Sequence, residues 1–338
     1  LHTTTPDTWI LQGLLRKMVN KGIKYVVLEV TSHGLDQHRL AGTKFYLGVI
    51  TNVTHEHLDY HQTYENYLKA KAKLFRGVKI AIINRDDESY GYLSAKCKPS
   101  SRAQVEGAQS VKCVSYGIKN KADFTPKTFK FKTLLLGEYN QYNCLAAIAA
   151  ASSLGIPKDK IKKAVASFKG VGGRMEEINE GQDFKVIIDF AHTPNALENV
   201  LRTLKPLIAN RYSLIAIFGC AGLRDVQKRP IMGEIAVKYA DFTVLTAEDP
   251  RTEDVDEIID QIAEGCKKVG GIESKTFFRI PDRREAIRFA IQKLAKKGDV
   301  IVICGKGHEK SMCFGKTEYP WSDRNETREA LRNFKKNV

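Results

Sequence analysis

Residues 184–204 read FKVIIDFAHTPNALENVLRTL. A short apolar run rich in β-branched residues, the mark of a strand buried on both faces, passes through a polar break into a stretch with helical spacing. The same alternation recurs to the end of the chain. Strands are predicted at SLIAIFG (213–219), DFTVLTA (241–247), KTFFRI (275–280) and DVIVICG (299–305), separated by helical stretches such as RPIMGEIAVKYA, EDVDEIIDQIAEGCKKV and RREAIRFAIQKLAKK. Regular strand–helix alternation specifies an α/β, doubly wound, Rossmann-like domain, whose ligands sit at the carboxyl ends of the strands. At those ends the chain carries DFAHTP, FGCAGLRD, TAEDPR and CGKGHE.

Upstream of this region, VGG at 171–173 is a natural hinge because paired glycines impose little conformational preference. It divides the chain into an expected domain at 1–172 and a second at 173–338. The first half is also α/β. KYVVLEV (24–30), LGVITNV (47–53) and VKIAIIN (78–84) read as buried strands, with helices predicted at WILQGLLRKMV, YENYLKAKAKLF and ESYGYLSAKC. Residues 100–136 are more polar and strand-like, and NCLAAIAAASSLGI is a helix stopped at Gly155 with Pro157 beyond.

Composition narrows the function classes. The seven cysteines of this 338-residue chain are scattered and include no C-x-x-C pair, so neither a disulfide framework nor a zinc ribbon is indicated and a reducing cytoplasm fits best. No run approaches the roughly 20 apolar residues that a membrane-spanning helix needs, and no basic-plus-apolar leader opens the chain. A net charge of +15 raises nucleic-acid binding, but the basic residues are spread as in KGIKY and KKAVASFKG, without an aromatic-interleaved stripe. No nucleic-acid partner is expected; such a surface instead steers small anionic substrates.

The densest group of potential ligands is TNVTHEHLDYH (51–61). His57 and His61 are four apart, but the H-E-x-x-H zinc pattern, which would start at His55-Glu56, fails because its last position is Asp59. A hard cation is a better match. Glu29 also ends an apolar strand, and parallel packing would bring it to the same sheet edge as His57. Magnesium held by one or two carboxylates leaves positions for nucleotide phosphates, which implies phosphoryl chemistry.

Taken in order, EVTSHGLDQHR (29–39), TNVTHEHLDYH, YLKAKAKLF, GEYNQYNCLAA, GRMEEI, IIDFAHTPNALE, FGCAGLRDVQKRPIMG, EDPRTED and GKGHEKS followed by SDR resemble the successive signatures of the Mur ligases. The resemblance runs through nearly the whole chain and is strongest to the branch that adds the third residue to UDP-N-acetylmuramoyl-L-alanyl-D-glutamate. It implies a central ATPase-type domain, here incomplete, followed by the Rossmann-like domain. It implies the cofactors ATP, Mg2+ and CO2, with Glu29, His57 and a carbamylated Lys71 as the catalytic, metal-holding set. Carbamylation turns an ammonium, charged below a pKa of about 10.4, into a carboxylate-like anion. Lys69 and Lys73 flank Lys71, and spacing alone does not choose among them; the choice rests on the family pattern A-K-x-x-L-F.

By the same resemblance, Thr4, Thr5, Thr31, Gln37 and Arg39 would hold the UDP-muramoyl dipeptide. Asn143, Arg174, Asp189 and His192 would approach ATP, and Arg224, Glu248, Asp249, Pro250, Arg251, Gly305 and Glu309 would bind the incoming amino acid. The implied reaction is amide-bond formation through an acyl phosphate, with meso-diaminopimelate as the amine, in a cytoplasmic monomer. Relatives that use diaminopimelate carry D-N-P-R, whose arginine grips the distal carboxylate. Here Asp249 replaces the amide, and an acceptor-only carboxylate cannot donate as asparagine does. Thr31 in place of serine and Glu56 in place of aspartate are milder departures.

A larger departure is that the glycine-rich phosphate loop, expected upstream of TTTPD, is not in the chain; GKT at 315–317 lacks the required glycine before it. Together with the start at Leu1, this leads us to expect a truncated chain whose full protein carries that loop and a uridine-binding domain. Three alternatives stand beside this reading: a lysine-adding ligase, a folylpolyglutamate synthase-like ligase, and a non-catalytic binding protein of the same fold.

Overall fold

A computed structural model of the chain describes residues 4–54, 58–97 and 111–336, which form two compact units: 1–133 with 140–167, and 134–139 with 168–338.

In the first unit, helix α1 (Thr8–Asn20) and the short α2 (Ser32–Asp36) precede strand β1 (Leu47–Ile50). Then follow α3 (Leu58–His61), α4 (Tyr64–Ala72), β2 (Ile80–Asn84), α5 (Tyr90–Ala95), β3 (Lys112–Tyr116), α6 (Glu138–Ser153) and α7 (Lys158–Ser167). The strands form a parallel sheet in the order β1-β2-β3. Strand β2 shows why its sequence is apolar throughout: Ala81 and Ile83 pack with Tyr67, Leu68 and Leu93 of α4 and α5, while Ile80 and Ile82 pack with Leu145, Ala146 and Ala149 of α6. Alternating side chains meet a helical layer on each face. Helix α6 stops where Gly155 takes φ +77°, as its sequence predicts.

One predicted strand is corrected. KYVVLEV at 24–30 runs without helix or strand pairing, and Val27 is 99% exposed. A β-branched run becomes a strand only by pairing with a neighbour, and the three-stranded sheet takes in none of these residues. The polar stretch at 100–136 supplies the single strand β3 among the described residues, with Phe124 forming an isolated bridge to Tyr116.

In the second unit the elements are β4 (Glu176–Ile178), β5 (Lys185–Asp189), α8 (Pro194–Leu204), β6 (Leu214–Phe218), α9 (Lys228–Tyr239), β7 (Phe242–Leu245), α10 (Val255–Lys268), β8 (Phe277–Arg279), α11 (Arg283–Phe289), β9 (Val300–Cys304), β10 (Ser311–Phe314), β11 (Thr317–Pro320) and α12 (Asp323–Lys336). The six-stranded sheet has the order β4-β5-β9-β6-β7-β8, parallel except for β4. Leu214, Ala216 and Phe218 of β6 face Leu201, Met232 and Ile262 on α8, α9 and α10; Ile215 and Ile217 face Ala286, Ile287 and Leu331 on α11 and α12. Each of the larger of these side chains contributes about 1.5–3 kcal/mol by leaving water, and the alanines less. Three elements carry no expectation from the sequence: β4, the β10–β11 hairpin and α12. The hairpin turns at Gly315, with φ +62°, between Phe314 and Thr317.

Candidate functional site

The first unit brings together Thr4 and Thr5, the stretch TSHGLDQH at 31–38, and Tyr60 and His61. The Thr31 hydroxyl caps α2 by accepting from Gly34 N at 3.0 Å, and Thr31 N donates to Thr5 Oγ1 at 3.0 Å. Thr5 is buried and tight against Gly34, where an added Cβ would lie 2.9 Å from the Thr5 side chain. Arg39 Nη1 closes the cluster on Thr5 O at 3.2 Å. Thr5, Thr31 and Arg39 therefore form one hydrogen-bonded group, while Thr4 is exposed beside it. Gln37 reaches Tyr60 Oη at 3.4 Å, and that hydroxyl donates to Asp36 Oδ2 at 3.1 Å.

Lys71 lies on α4, its Nζ 3.3 Å from Asn52 O and 5.1 Å from the centre of the Tyr67 ring. Its neighbour Lys73 is engaged elsewhere, bonded to Asp36 Oδ1 at 2.6 Å, which draws the Asp36 carboxyl below its usual range. Glu29 is exposed on the extended stretch before α2, its backbone carbonyl 3.4 Å from Thr5 Oγ1. His57 and Glu56 lie outside the described residues, among which no three His, Cys, Asp or Glu side chains gather as a metal would require. As a donor set, one carboxylate, one imidazole and one carbamate would suit a hard divalent cation. His61, weighed from the sequence only as half of a rejected zinc pair, is buried with Nε2 3.0 Å from Ser32 Oγ, which ties α3 to α2. Asn143, on α6, is exposed and bonded to Asn140 Oδ1 at 3.2 Å.

In the second unit the loops after β5, β9, β6 and β7 share the carboxyl edge of the sheet, because those strands are neighbours. At the end of β5, Asp189 accepts from Met175 N and Ala191 N, both at 2.8 Å, yet burial raises its pKa above the ordinary carboxylate value. Phe190 is a hub: the Arg174 guanidinium lies 4.5 Å from its ring centre, and the His192 and His308 rings at 4.7 and 5.0 Å. Three of the four proposed ATP contacts thus share one neighbourhood. Gly173 is obligatory, since a Cβ there would fall 2.2 Å from His308 N and its φ is +72°.

The EDPR loop is stitched to its neighbours through its backbone and the Arg251 guanidinium. Arg251 N donates to Cys313 O at 3.1 Å, Gly222 N to Asp249 O at 3.0 Å, and Arg251 Nη1 to Gly222 O at 2.5 Å. Asp249 and Arg251 both take left-handed backbone, φ +44° and +54°, unusual for residues with a side chain. Glu248 is buried, with Oε2 lacking a hydrogen-bond partner; burial pushes its carboxyl up to about 7, against the attraction of Lys228, Arg283 and Lys306. Gly305, φ +111°, passes over it with room for no Cβ beyond 3.0 Å from that oxygen. Glu309 lines a cavity of about 610 Å³ with His308, Trp321 and Arg324. Arg224 is exposed on the loop after β6. Sequence reasoning overlooked Lys306, inside the GKGHE motif, and Arg283, buried and bonded to both Asp323 oxygens at 2.8 Å.

Among the described residues no helix is long and apolar enough to cross a membrane. The sequence matches the Mur ligase middle domain over residues 1–151 and the Mur ligase, glutamate ligase domain over 173–307. It is 41% identical to the UDP-N-acetylmuramoyl-L-alanyl-D-glutamate–2,6-diaminopimelate ligase of Caldanaerobacter subterraneus subsp. tengcongensis, covering 97% of this chain and 68% of that protein. It is 40% identical to the UDP-N-acetylmuramyl-tripeptide synthetase of Roseiflexus sp., again over 97% of this chain and 68% of that protein. A solved structure of a UDP-N-acetylmuramoyl-L-alanyl-D-glutamate–2,6-diaminopimelate ligase superposes with a TM-score of 0.60 at 34% identity, covering 97% of this chain and 68% of that one. A Mycobacterium tuberculosis folylpolyglutamate synthase, 19% identical over 77% of this chain and 61% of its own with a TM-score of 0.55, shares the fold alone.

Proposed function

The chain belongs to the Mur ligase family, and on that premise we propose that its protein joins meso-diaminopimelate to UDP-N-acetylmuramoyl-L-alanyl-D-glutamate at the expense of ATP. The observation that carries this reading is 41% identity to a diaminopimelate ligase over 97% of the chain. The γ-phosphoryl group of ATP passes to the glutamyl carboxylate; the amine then attacks the acyl carbon, and phosphate leaves as the amide forms. The chain's residues position and neutralise charge in this scheme. In the first unit, Thr5, Thr31 and Arg39 are a preorganised polar group for the anionic sugar peptide, with Thr4 and Gln37 at its margin. In the second, Asp189, His192 and Arg174 around Phe190 supply an acceptor, an imidazole and a cation for the nucleotide; Asn143, on α6 of the first unit, is proposed as a nucleotide contact from the family resemblance alone.

Arg251 and Arg224 would receive the amino acid's carboxylate, and Glu309 its ammonium, with Asp249, Pro250 and Gly305 shaping the floor. Glu248, buried beneath Gly305, supports that floor from below. Glu29, His57 and a carbamylated Lys71 would hold Mg2+, which when bound supplies charge neutralisation to the phosphates. CO2 is then a required modifier. The protein is read as a cytoplasmic monomer.

The test is phosphate release by the full-length protein given ATP, magnesium, bicarbonate, the UDP-muramoyl dipeptide and diaminopimelate. No release would refute the assignment. A second reading, lysine as the amine, is favoured by Asp249, and competition between the two amines separates them.

A further inference from the structure

Lys306 begins the loop beyond Gly305, and its side chain is 1% exposed. Its ammonium is shared by two carboxylates, Asp249 Oδ1 at 2.7 Å and Glu309 Oε2 at 2.6 Å. Burial works against the charge, but the bonds to Asp249 and Glu309 outweigh it and hold the lysine above its ordinary pKa. The two carboxylates differ in freedom. Asp249 Oδ1 also accepts from Cys313 N at 2.9 Å and sits on left-handed backbone, so it is fixed in place. Glu309 lines the open cavity.

The charges are one positive and two negative. An aspartate two residues from Arg251 would repel a ligand carboxylate on its way to that guanidinium. An ammonium at ion-pair distance cancels most of that field where water is excluded. The remaining negative charge is shared by the two carboxylates, and of these Glu309 lines the cavity. On the amine-site reading, a carboxylate would go to Arg251 and an ammonium to Glu309, the two groups at one end of a diamino diacid.

We propose that Lys306 is a specificity-setting positioning residue of the amine site: by neutralising Asp249 and aiming Glu309, it lets the site accept an amine that carries a second carboxylate. This rests on reading the edge as the diamino-acid site. Without Lys306, two uncompensated carboxylates attract a bare ammonium and repel a carboxylate, so selection moves toward lysine.

The experiment measures kcat and KM for diaminopimelate, lysine and ATP in the full-length protein. Lys306→Met is expected to lower the diaminopimelate-to-lysine ratio of kcat/KM by on the order of tenfold or more, leaving the KM for ATP within about twofold. Adding Asp249→Asn to that variant is expected to recover most of the ratio, because one of the two stranded charges is gone. Should Lys306→Met not fold, Lys306→Gln carries the test: it keeps a hydrogen-bond donor but removes the charge, and the same fall in the ratio is expected. An unchanged ratio, or equal losses for both amines, overturns the proposal while the ligase assignment stands. Wild-type protein that uses neither amine overturns the assignment, and the proposal with it.

Discussion

Replacing Glu248 by glutamine tests how the floor of the carboxyl edge is held. The side chain is 6% exposed and one carboxylate oxygen has no hydrogen-bond partner, so ionising it in the fold is costly. Burial raises the carboxyl from 4.5 to about 7; Lys228, Arg283 and Lys306 pull it back, and Asp249 adds to the rise. At about 1.4 kcal/mol per pH unit, the interval from 4.5 to about 7 corresponds to about 3 kcal/mol. The native state binds the extra proton in that window, so this contribution is complete below 4.5 and is lost as pH rises through about 7. Glutamine does not titrate. Relative to wild type, Glu248→Gln should therefore gain about 3 kcal/mol of stability between about pH 4.5 and about pH 8.

The assay is urea unfolding followed by the fluorescence of Trp321, whose Nε1 bonds Asp323 Oδ1 at 2.8 Å in the second unit; Trp9→Phe removes the other tryptophan. A stability difference between wild type and variant that stays constant across that range, or moves the other way, refutes the argument.

Asp323→Asn strips the charge partner from the buried Arg283 and should cost about 3–5 kcal/mol, read as a lower urea midpoint with a shifted Trp321 spectrum. Asp86 accepts from Ile118 N, Lys119 N and Asn120 N at 2.6–2.8 Å. Although burial opposes this, these bonds and the Tyr142 hydroxyl lower its carboxyl from 3.8 to about 2, so the stability it adds above 3.8 is lost as pH falls through about 2. Asp86→Asn should thus weaken the first unit at neutral pH by about 1–2 kcal/mol after allowing for solvent, and abolish most of its acid sensitivity, measured by hydrogen exchange of the 117–120 amides. Gly305→Ala forces a Cβ to 3.0 Å from Glu248 Oε2 at φ +111°, and should raise the KM for the amine about tenfold or more with a smaller change for ATP.

Much of the architecture was legible because buried parallel strands write themselves as unbroken apolar runs. FKVIIDF, SLIAIFG and DVIVICG each became a strand, at β5, β6 and β9. KYVVLEV has the same composition but stays unpaired, since periodicity records what a segment prefers and not whether a neighbour is there to satisfy it. The hairpin after GKGHE was missed for the opposite reason: TEYP is exposed throughout and carries no apolar alternation, leaving only the glycine at 315 as a signal. In the candidate site, motifs identified which loops converge at the sheet edge. They did not reveal Lys306 as the partner of Asp249, because that contact spans 57 positions of sequence and depends on β9 lying beside β6 and β6 beside β7.

The placement of β9, last of the parallel strands yet seated between β5 and β6, bears on how the second unit comes into being on the ribosome. Until residues 300–304 emerge, β5 and β6 each lack the partner they share, and their apolar faces and free amides stay available to other chains. Premature termination before that point should yield sticky, protease-sensitive polypeptide instead of a smaller working domain, so synthesis of this half is effectively all or nothing.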